Sequence, residues 1–128
     1  MSAAPAHRVC IAGASGRMGR MLIDAVRATD DCVLAGALDI AASPAIGQDA
    51  GAYAGQATGV AITADIAAGL SDAHCLIDFT RPEGTMEHLH ACVAQGVNLV
   101  IGTTGFTDAQ KAEIGEASKR IAIVMAPN

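Results

Sequence analysis

The sequence predicts an α/β fold in which helices cover both sides of a doubly wound, mostly parallel sheet. Short apolar runs alternate along the chain with longer segments of helical periodicity, and repeated β-α-β order is typical of parallel sheets with helical crossovers. The segment Ala73–Phe79 is largely apolar up to Asp78, as expected of a strand buried on both faces. Right-handed crossovers then make the sheet doubly wound.

The first half of the chain contains three predicted strands, which are Arg8–Ala12, Cys32–Leu38 and Val60–Thr63. A helix is predicted over Arg17–Ala28, and Asp65–Leu70 has room for one or two helical turns. The apolar face of the longer helix is expected to hold Met18, Leu22, Ala25 and Val26. Residues 40–58 are rich in Gly, Ala, Ser and Pro and have no clear period, which predicts a loop.

The second half continues the alternation, with predicted strands over Ala73–Phe79, Val97–Ile101 and Ile121–Met125. Helices are predicted over Glu83–Gln95 and from Thr107 to about Lys119. Each begins with a capping-box spacing, Thr80 with Glu83 and Thr107 with Gln110. The sequence ends at the carboxyl edge of a strand, where such folds place their ligand sites, so an enzyme of this type is expected to continue beyond it.

Composition fits one globular domain of 128 residues, since 52% of the residues are hydrophobic and 16% are charged. With two Phe, one Tyr and no Trp, the core is expected to pack helix and sheet backbones closely.

The net charge of −5 and the lack of a basic run argue against a nucleic-acid partner. No apolar run approaches the roughly 18 residues of a membrane span and no basic leader precedes the first apolar run, so we expect a cytoplasmic protein.

Cysteines and histidines do not form a site that the spacing supports. The four cysteines, which are widely spaced and expected to be buried reduced thiols, are Cys10, Cys32, Cys75 and Cys92. A disulfide or metal role is the less favoured alternative. His88 and His90 diverge on their helix, so no metal site and no catalytic residue is predicted.

Three glycines open the first helix directly after the first strand. Gly13, Gly16 and Gly19 are three residues apart, and such a loop can bring backbone and a helix N-terminus to a pyrophosphate. A purely structural turn is the alternative. Asp39 ends the second strand 20 residues after Gly19, where an acidic side chain can bind the adenosine ribose hydroxyls. Together these features predict a Rossmann dinucleotide-binding fold.

The choice of cofactor follows from the charge at Asp39. A 2′-phosphate would be repelled there unless a guanidinium neutralises it, and the next residue is Ile40. Arg17 and Arg81 are close enough in the predicted fold to reach that region, although solvated arginines at helix starts are an equal alternative. The prediction is therefore NADH, with NADPH possible and less favoured.

Three phrases of the sequence, GASGRMG at 13–19, DFTRPEGT at 78–85 and VIGTTGF at 100–106, together resemble the 4-hydroxy-tetrahydrodipicolinate reductases. The resemblance runs from about Arg8 to Asn128 and covers the amino-terminal, cofactor-binding half of that family. It implies a hydride transfer from NAD(P)H to a cyclic imine dicarboxylate, giving tetrahydrodipicolinate in the diaminopimelate route to lysine. It also implies a homotetramer for the full-length enzyme.

The resemblance also implies a set of cofactor-binding residues. The pyrophosphate would lie on the loop, Arg17 near the adenosine, Asp39 on the ribose, and the residues after the fourth and fifth strands along the rest of the cofactor. The complete set is Gly13, Ala14, Ser15, Gly16, Arg17, Met18, Asp39, Phe79, Thr80, Arg81, Gly102, Thr103, Thr104, Ala126, Pro127 and Asn128. From the residues alone, Gly102–Thr104 could equally be a plain strand-to-helix turn.

The sequence departs from the family pattern in two places. Many relatives have Arg directly after the ribose-binding acid, whereas this chain has Ile40. The H-H-x-x-K-x-D segment that binds substrate and donates the proton in a second domain is absent from the 128 residues, so these residues alone are expected to be inactive. A nucleotide-sensing module and another Rossmann dehydrogenase of amino-acid metabolism are the alternatives.

Overall fold

A computed structural model, which describes residues 6–126, confirms the α/β architecture with a six-stranded sheet in the order β3-β2-β1-β4-β5-β6. The strands, all paired in parallel, are β1 (His7–Ala12), β2 (Cys32–Leu38), β3 (Ile62–Thr63), β4 (Cys75–Asp78), β5 (Asn98–Ile101) and β6 (Ile123–Met125). The helices are α1 (Arg17–Arg27), α2 (Ile66–Leu70), α3 (Pro82–Gln95) and α4 (Asp108–Ala117). The strand order reverses between β1 and β4, which is the point where such sheets bind ligands.

The central strand β1 distributes its side chains to two separate cores. Val9 and Ile11 face the core that α1 and residues 45–60 cover. Cys10 and Ala12 face the opposite core, which α2, α3 and α4 complete. This alternation follows from the two-residue period of a strand. The predicted helical cover on both sides is confirmed, with one helix and a long loop on the first side and three helices on the second.

Glycines allow the close backbone packing that the composition predicts. A Cβ on Gly19 in α1 would lie 2.0 Å from the carbonyl oxygen of Gly13, and one on Gly36 in β2 would lie 2.1 Å from the carbonyl oxygen of Gly69 in α2. Both contacts are with backbone, which cannot rotate away. Gly19 therefore allows α1 to pack closely against the loop after β1, and Gly36 allows α2 to pack closely against β2.

One local prediction is right only in part and a second is wrong. The buried face of α1 is Gly19, Ile23 and Val26, so Val26 is predicted correctly, and Leu22 packs partly against the same core. Met18, which is 37% exposed, and Ala25 are exposed. Thr80 does not cap α3, because its hydroxyl donates to Asp78 instead and the N-cap residue is Arg81. The capping box of Thr107 with Gln110 at α4 is confirmed.

The four cysteines are free thiols, as expected, although only Cys10 and Cys92 are fully buried. Burial raises the pKa of each of these two thiols to about 12, with a smaller contribution from neighbouring anionic groups. The buried thiols therefore act as small apolar side chains of the core. Within residues 6–126, no helix is long and apolar enough to cross a membrane.

The loop between β2 and β3 is organised by the carboxylate of Asp49. It accepts hydrogen bonds from the backbone N–H groups of Gly51, Thr58 and Gly59 and from the hydroxyl of Thr58, at 2.7–3.1 Å. These bonds hold the pKa of Asp49 well below its ordinary value, because they stabilise the charged form. The segment 51–59, which contains a short 3-10 helix (Ala52–Ala54), is thus held at both ends by one side chain.

We expect Gly19→Ala to lower the free energy of unfolding by about 1–3 kcal/mol, the usual cost of overpacking, because the added methyl meets the carbonyl of Gly13. Gly115→Ala is the matched control, since Gly115 also lies in a helix and has no atom within 4 Å of its added Cβ. The control should raise that free energy by up to about 1 kcal/mol. Urea titrations followed by circular dichroism measure both, and equal changes would contradict the packing role of Gly19.

The Asp49 carboxylate should make the fold sensitive to acid. Its pKa is lowered in the folded protein, so its stabilisation is present above the ordinary pKa near 4 and is lost as pH falls below it. Asp49→Asn, which keeps the shape and removes the charge, should flatten the pH dependence of the free energy of unfolding in this range. Asp72→Asn, on an exposed carboxylate beside Arg8, is the control and should keep the wild-type dependence.

Candidate cofactor site

A cleft of about 360 Å³ lies at the carboxyl edge of the sheet, where β1, β2 and β4 end. Four of the predicted cofactor residues line it, namely Gly13, Asp39, Thr80 and Arg81. The further lining residues are Leu38, Ile40, Ala41, Ala64, Ile66, Glu83, Gly84, Glu87 and His88. The cleft therefore coincides with the switch point of the sheet, and its wall includes the start of α3.

The glycine loop leads from β1 into α1 and leaves the helix terminus open. Gly13 has a φ of +70°, a left-handed conformation that favours glycine, and its carbonyl accepts from the N–H of Gly16 at 3.0 Å. Gly16 is the N-cap residue, and no side chain caps α1. The amide groups of the first turn, which Arg17 and Met18 begin, are therefore left for an external acceptor.

Asp39 lies directly after β2 and is joined to this loop. Its Oδ2 accepts from the backbone N–H of Ser15 at 2.9 Å and from the Ser15 hydroxyl. Its Oδ1 accepts from the N–H of Ile40 at 2.8 Å. The loop is tied to β2 a second time, because the N–H of Ala14 donates to the carbonyl of Leu38 at 3.0 Å. The predicted pyrophosphate loop and the predicted ribose-binding acid are therefore in direct contact.

The residues after β4 and β5 are held together by the backbone of Asp78. Its carbonyl accepts from the N–H of Gly102 at 2.8 Å, and the hydroxyl of Thr103 lies 3.4 Å from it. Thr103 is buried and also bonded to Thr85 at 3.0 Å, so its side chain is used inside the protein. A Cβ on Gly102 would lie 2.0 Å from the ring of Phe79. These two strand ends thus form one packed unit.

The outer predicted residues are more exposed. Thr104 is exposed after β5, and Ala126 is exposed after β6, where its N–H donates to the carbonyl of Ile101 at 2.8 Å. The cleft lining does not include these two residues. Pro127 and Asn128 lie outside the described residues.

The sequence alone did not identify the pair formed by Asp78 and His88. Asp78 is fully buried, and its Oδ2 lies 2.6 Å from Nδ1 of His88, while its Oδ1 accepts from the N–H and the hydroxyl of Thr80 at 2.9 and 2.5 Å. Burial raises the pKa of Asp78, but the bonds from His88 and Thr80 outweigh it and hold the pKa below its ordinary value. The one signal in the sequence that could indicate this pair is Asp78 itself, an acid at the end of an otherwise apolar strand.

This pair positions part of the cleft wall. Because the carboxylate is an acceptor, Nδ1 of His88 donates to it, which fixes the orientation of the imidazole at the cleft. Thr80 is fixed by the same carboxylate. In residues 6–126 no group of three or more His, Cys, Asp or Glu could hold a metal ion.

We expect His88→Ala to lower the free energy of unfolding by about 2 kcal/mol, because a buried carboxylate loses a hydrogen bond from its partner. His90→Ala is the matched control. His90 lies on the same helix and contacts Glu113, but both side chains are at least half exposed, so its loss should cost about 0.2–1 kcal/mol. Urea unfolding of both variants at pH 7 measures the difference, and two equal values would contradict the buried role of Asp78.

Comparison with known proteins places the chain in a family. The family model described as dihydrodipicolinate reductase, N-terminus, matches residues 7–128. The 4-hydroxy-tetrahydrodipicolinate reductase of Cupriavidus taiwanensis is 62% identical over 120 residues, which are 94% of this chain and 45% of that protein. The reductase of Bordetella pertussis is 59% identical over 128 residues, which are 100% of this chain and 47% of that protein.

A solved structure agrees with these matches. The dipicolinate-bound dihydrodipicolinate reductase from Paenisporosarcina sp. TG-14 superposes with a TM-score of 0.78 at 25% identity, over 96% of this chain and 48% of that chain. The chain thus spans about half the length of the curated relatives it matches. The chain belongs to the dihydrodipicolinate reductase family and corresponds to the N-terminal part of its members.

Proposed function

We propose that this chain is the cofactor-binding part of a 4-hydroxy-tetrahydrodipicolinate reductase and that its cleft binds NADH. The observation that carries the proposal is the contact between Ser15 and Asp39. It puts an uncapped helix terminus, which attracts a phosphate, beside a carboxylate that can accept from ribose hydroxyls. Membership of the family supports the same reaction class.

The pyrophosphate would bind the loop from Gly13 to Met18. No acidic residue lies in the first turn of α1 and no side chain caps it, so its amide groups and partial positive charge are directed at an incoming anion. A Cβ on Gly13 would lie 3.1 Å from the methyl group of Thr80, which shows how little space separates the loop from the end of β4. Glycine at this position keeps the cradle open.

The adenosine ribose would bind Asp39, which disfavours a 2′-phosphate by charge. Ile40, the next residue, is 60% exposed and provides no cation. Arg81 lines the same cleft, but so do Glu83 and Glu87, and two carboxylates outweigh one guanidinium. NADH is therefore the favoured cofactor, and NADPH is the weaker alternative.

The nicotinamide end would extend along the ends of β4 and β5. Phe79 and Gly102 pack together there, and exposed Thr104 is available to a ligand. Thr103 would contribute its backbone, since its hydroxyl is bonded internally. Ala126, with Pro127 and Asn128 beyond it, would contact the cofactor next to this edge.

The bound nicotinamide would supply a hydride to a cyclic imine dicarboxylate, which gives tetrahydrodipicolinate. The residues of this chain would hold and orient that donor. The resemblance assigns substrate binding and proton donation to a second domain, and the curated relatives are about twice as long as this chain. The homotetramer and the cytoplasmic location of the full-length enzyme remain predictions from the resemblance and the composition.

The 128-residue chain should bind NADH in isothermal titration calorimetry, and Asp39→Ala should weaken that binding by about 1–3 kcal/mol, the usual value of hydrogen bonds to a charged group. Asp30→Ala is the control, because it removes the same charge before β2, at the opposite edge of the sheet. A folded wild-type chain that fails to bind NADH would overturn the proposal. Unchanged affinity in Asp39→Ala would remove only Asp39 from the site.

A further inference from the structure

Ser15 connects three segments that meet at Asp39, which lines the cleft. It lies in the glycine loop, and both its N–H and its hydroxyl donate to Oδ2 of Asp39. Its hydroxyl oxygen is also 3.2 Å from that of Ser43, in the loop between β2 and β3. The N–H of Ala45 in turn donates to the Ser43 hydroxyl at 3.2 Å. The hydroxyls therefore form a chain that ends on Asp39.

The direction of this chain follows from the chemistry of its last member. A carboxylate accepts hydrogen bonds and donates none, so the single hydrogen of the Ser15 hydroxyl is used by Asp39. The Ser43 hydroxyl must then donate to Ser15, while its own oxygen accepts from Ala45. Bonds aligned in this way polarise and strengthen each other. The Ser43 hydroxyl therefore strengthens the hydrogen bond that the Ser15 hydroxyl donates to Asp39.

The result is a carboxylate that is fixed before any ligand arrives. Oδ2 has two donors from Ser15 and Oδ1 has one from Ile40, so rotation of the side chain out of the cleft would break all three bonds. Each carboxylate oxygen can accept two hydrogen bonds, so one acceptor position remains on Oδ1, to which a free ribose hydroxyl can donate. A ribose 2′-phosphate needs the carboxylate to move or to be neutralised.

We infer that Ser15 is a specificity-determining residue, which favours an unphosphorylated adenosine ribose by anchoring Asp39. The inference rests on the proposed function, since it concerns the same dinucleotide site. Ser15 acts through Asp39, so its role is positioning. The alternative, in which the Ser15 hydroxyl itself binds a 2′-phosphate, requires the hydrogen that Asp39 already uses.

The experiment titrates the 128-residue chain and its variants with NADH and with NADPH and compares the ratio of the two Kd values, NADPH over NADH. Ser15→Ala should lower this ratio about five- to tenfold, because a charge-assisted hydrogen bond no longer holds the carboxylate in place. Ser43→Ala should lower it in the same direction by about twofold, since it removes only the supporting bond. Ser15→Thr, which keeps a hydroxyl, should retain the wild-type ratio.

Ser71→Ala is the control, because that hydroxyl donates to the carbonyl of Ala68 at the end of α2 and Ser71 is not among the residues that line the cleft. An equal loss of affinity for both dinucleotides in Ser15→Ala would show a merely structural loop residue and overturn the inference. A rise in the ratio would show that the hydroxyl contacts the 2′-phosphate, which also overturns it. If the folded wild-type chain binds neither dinucleotide, the proposed function fails and the inference with it.

Discussion

The buried carboxylate of Asp78 is the constraint on which the edge of the sheet depends. An ionised group with no solvent contact is costly unless its oxygens are satisfied, and here Thr80 and His88 satisfy both of them. Those bonds fix the first residues after β4 and one turn of α3. The backbone carbonyl of Asp78 adds the start of the next loop at Gly102. A single residue at the end of β4 therefore orders the start of α3, which lines the cleft, and the neighbouring loop after β5.

Asp39 is partly exposed to solvent, whereas Asp78 is fully buried, although both lie at the carboxyl ends of strands in the same sheet. It is half-buried, and its donors come from the glycine loop and from its own chain neighbour. Each of the two carboxylates accepts three hydrogen bonds, but Asp39 lines the cleft and is partly exposed, so its remaining acceptor position is open to a ligand, whereas Asp78 is fully buried. The two acids therefore differ in role because they differ in burial. Asp78 holds the cleft wall, and Asp39 is the acid that the proposed function assigns to the ribose.

The sequence predicts the parts of the fold that follow from periodicity, but not the features that depend on contacts between one element and the next. β2 was predicted at its observed limits, because an apolar run of seven residues bounded by acids has one reasonable interpretation. The apolar spacing predicts the face of α1 only in part, because it cannot show that Gly19 packs closely against Gly13 and lies on the buried side. Thr80 was assigned to a cap, since local spacing cannot show that a buried acid two residues earlier takes its hydroxyl. His88 was missed for the same reason.

The charge of the cleft connects its construction to the choice of ligand. Asp39, Glu83 and Glu87 contribute three carboxylates, against the guanidinium of Arg81. A pyrophosphate can bind beside such a set only where a separate positive source faces it, and the uncapped start of α1 provides one within its first turn. The positive charge of the α1 terminus acts only within its first turn, so it does not offset the repulsion of a second anionic group at the ribose. A further phosphate near Asp39 would be repelled by the carboxylates and would have no attraction from the helix terminus to offset that repulsion. Under the proposed function, this charge arrangement disfavours a dinucleotide whose adenosine ribose is phosphorylated.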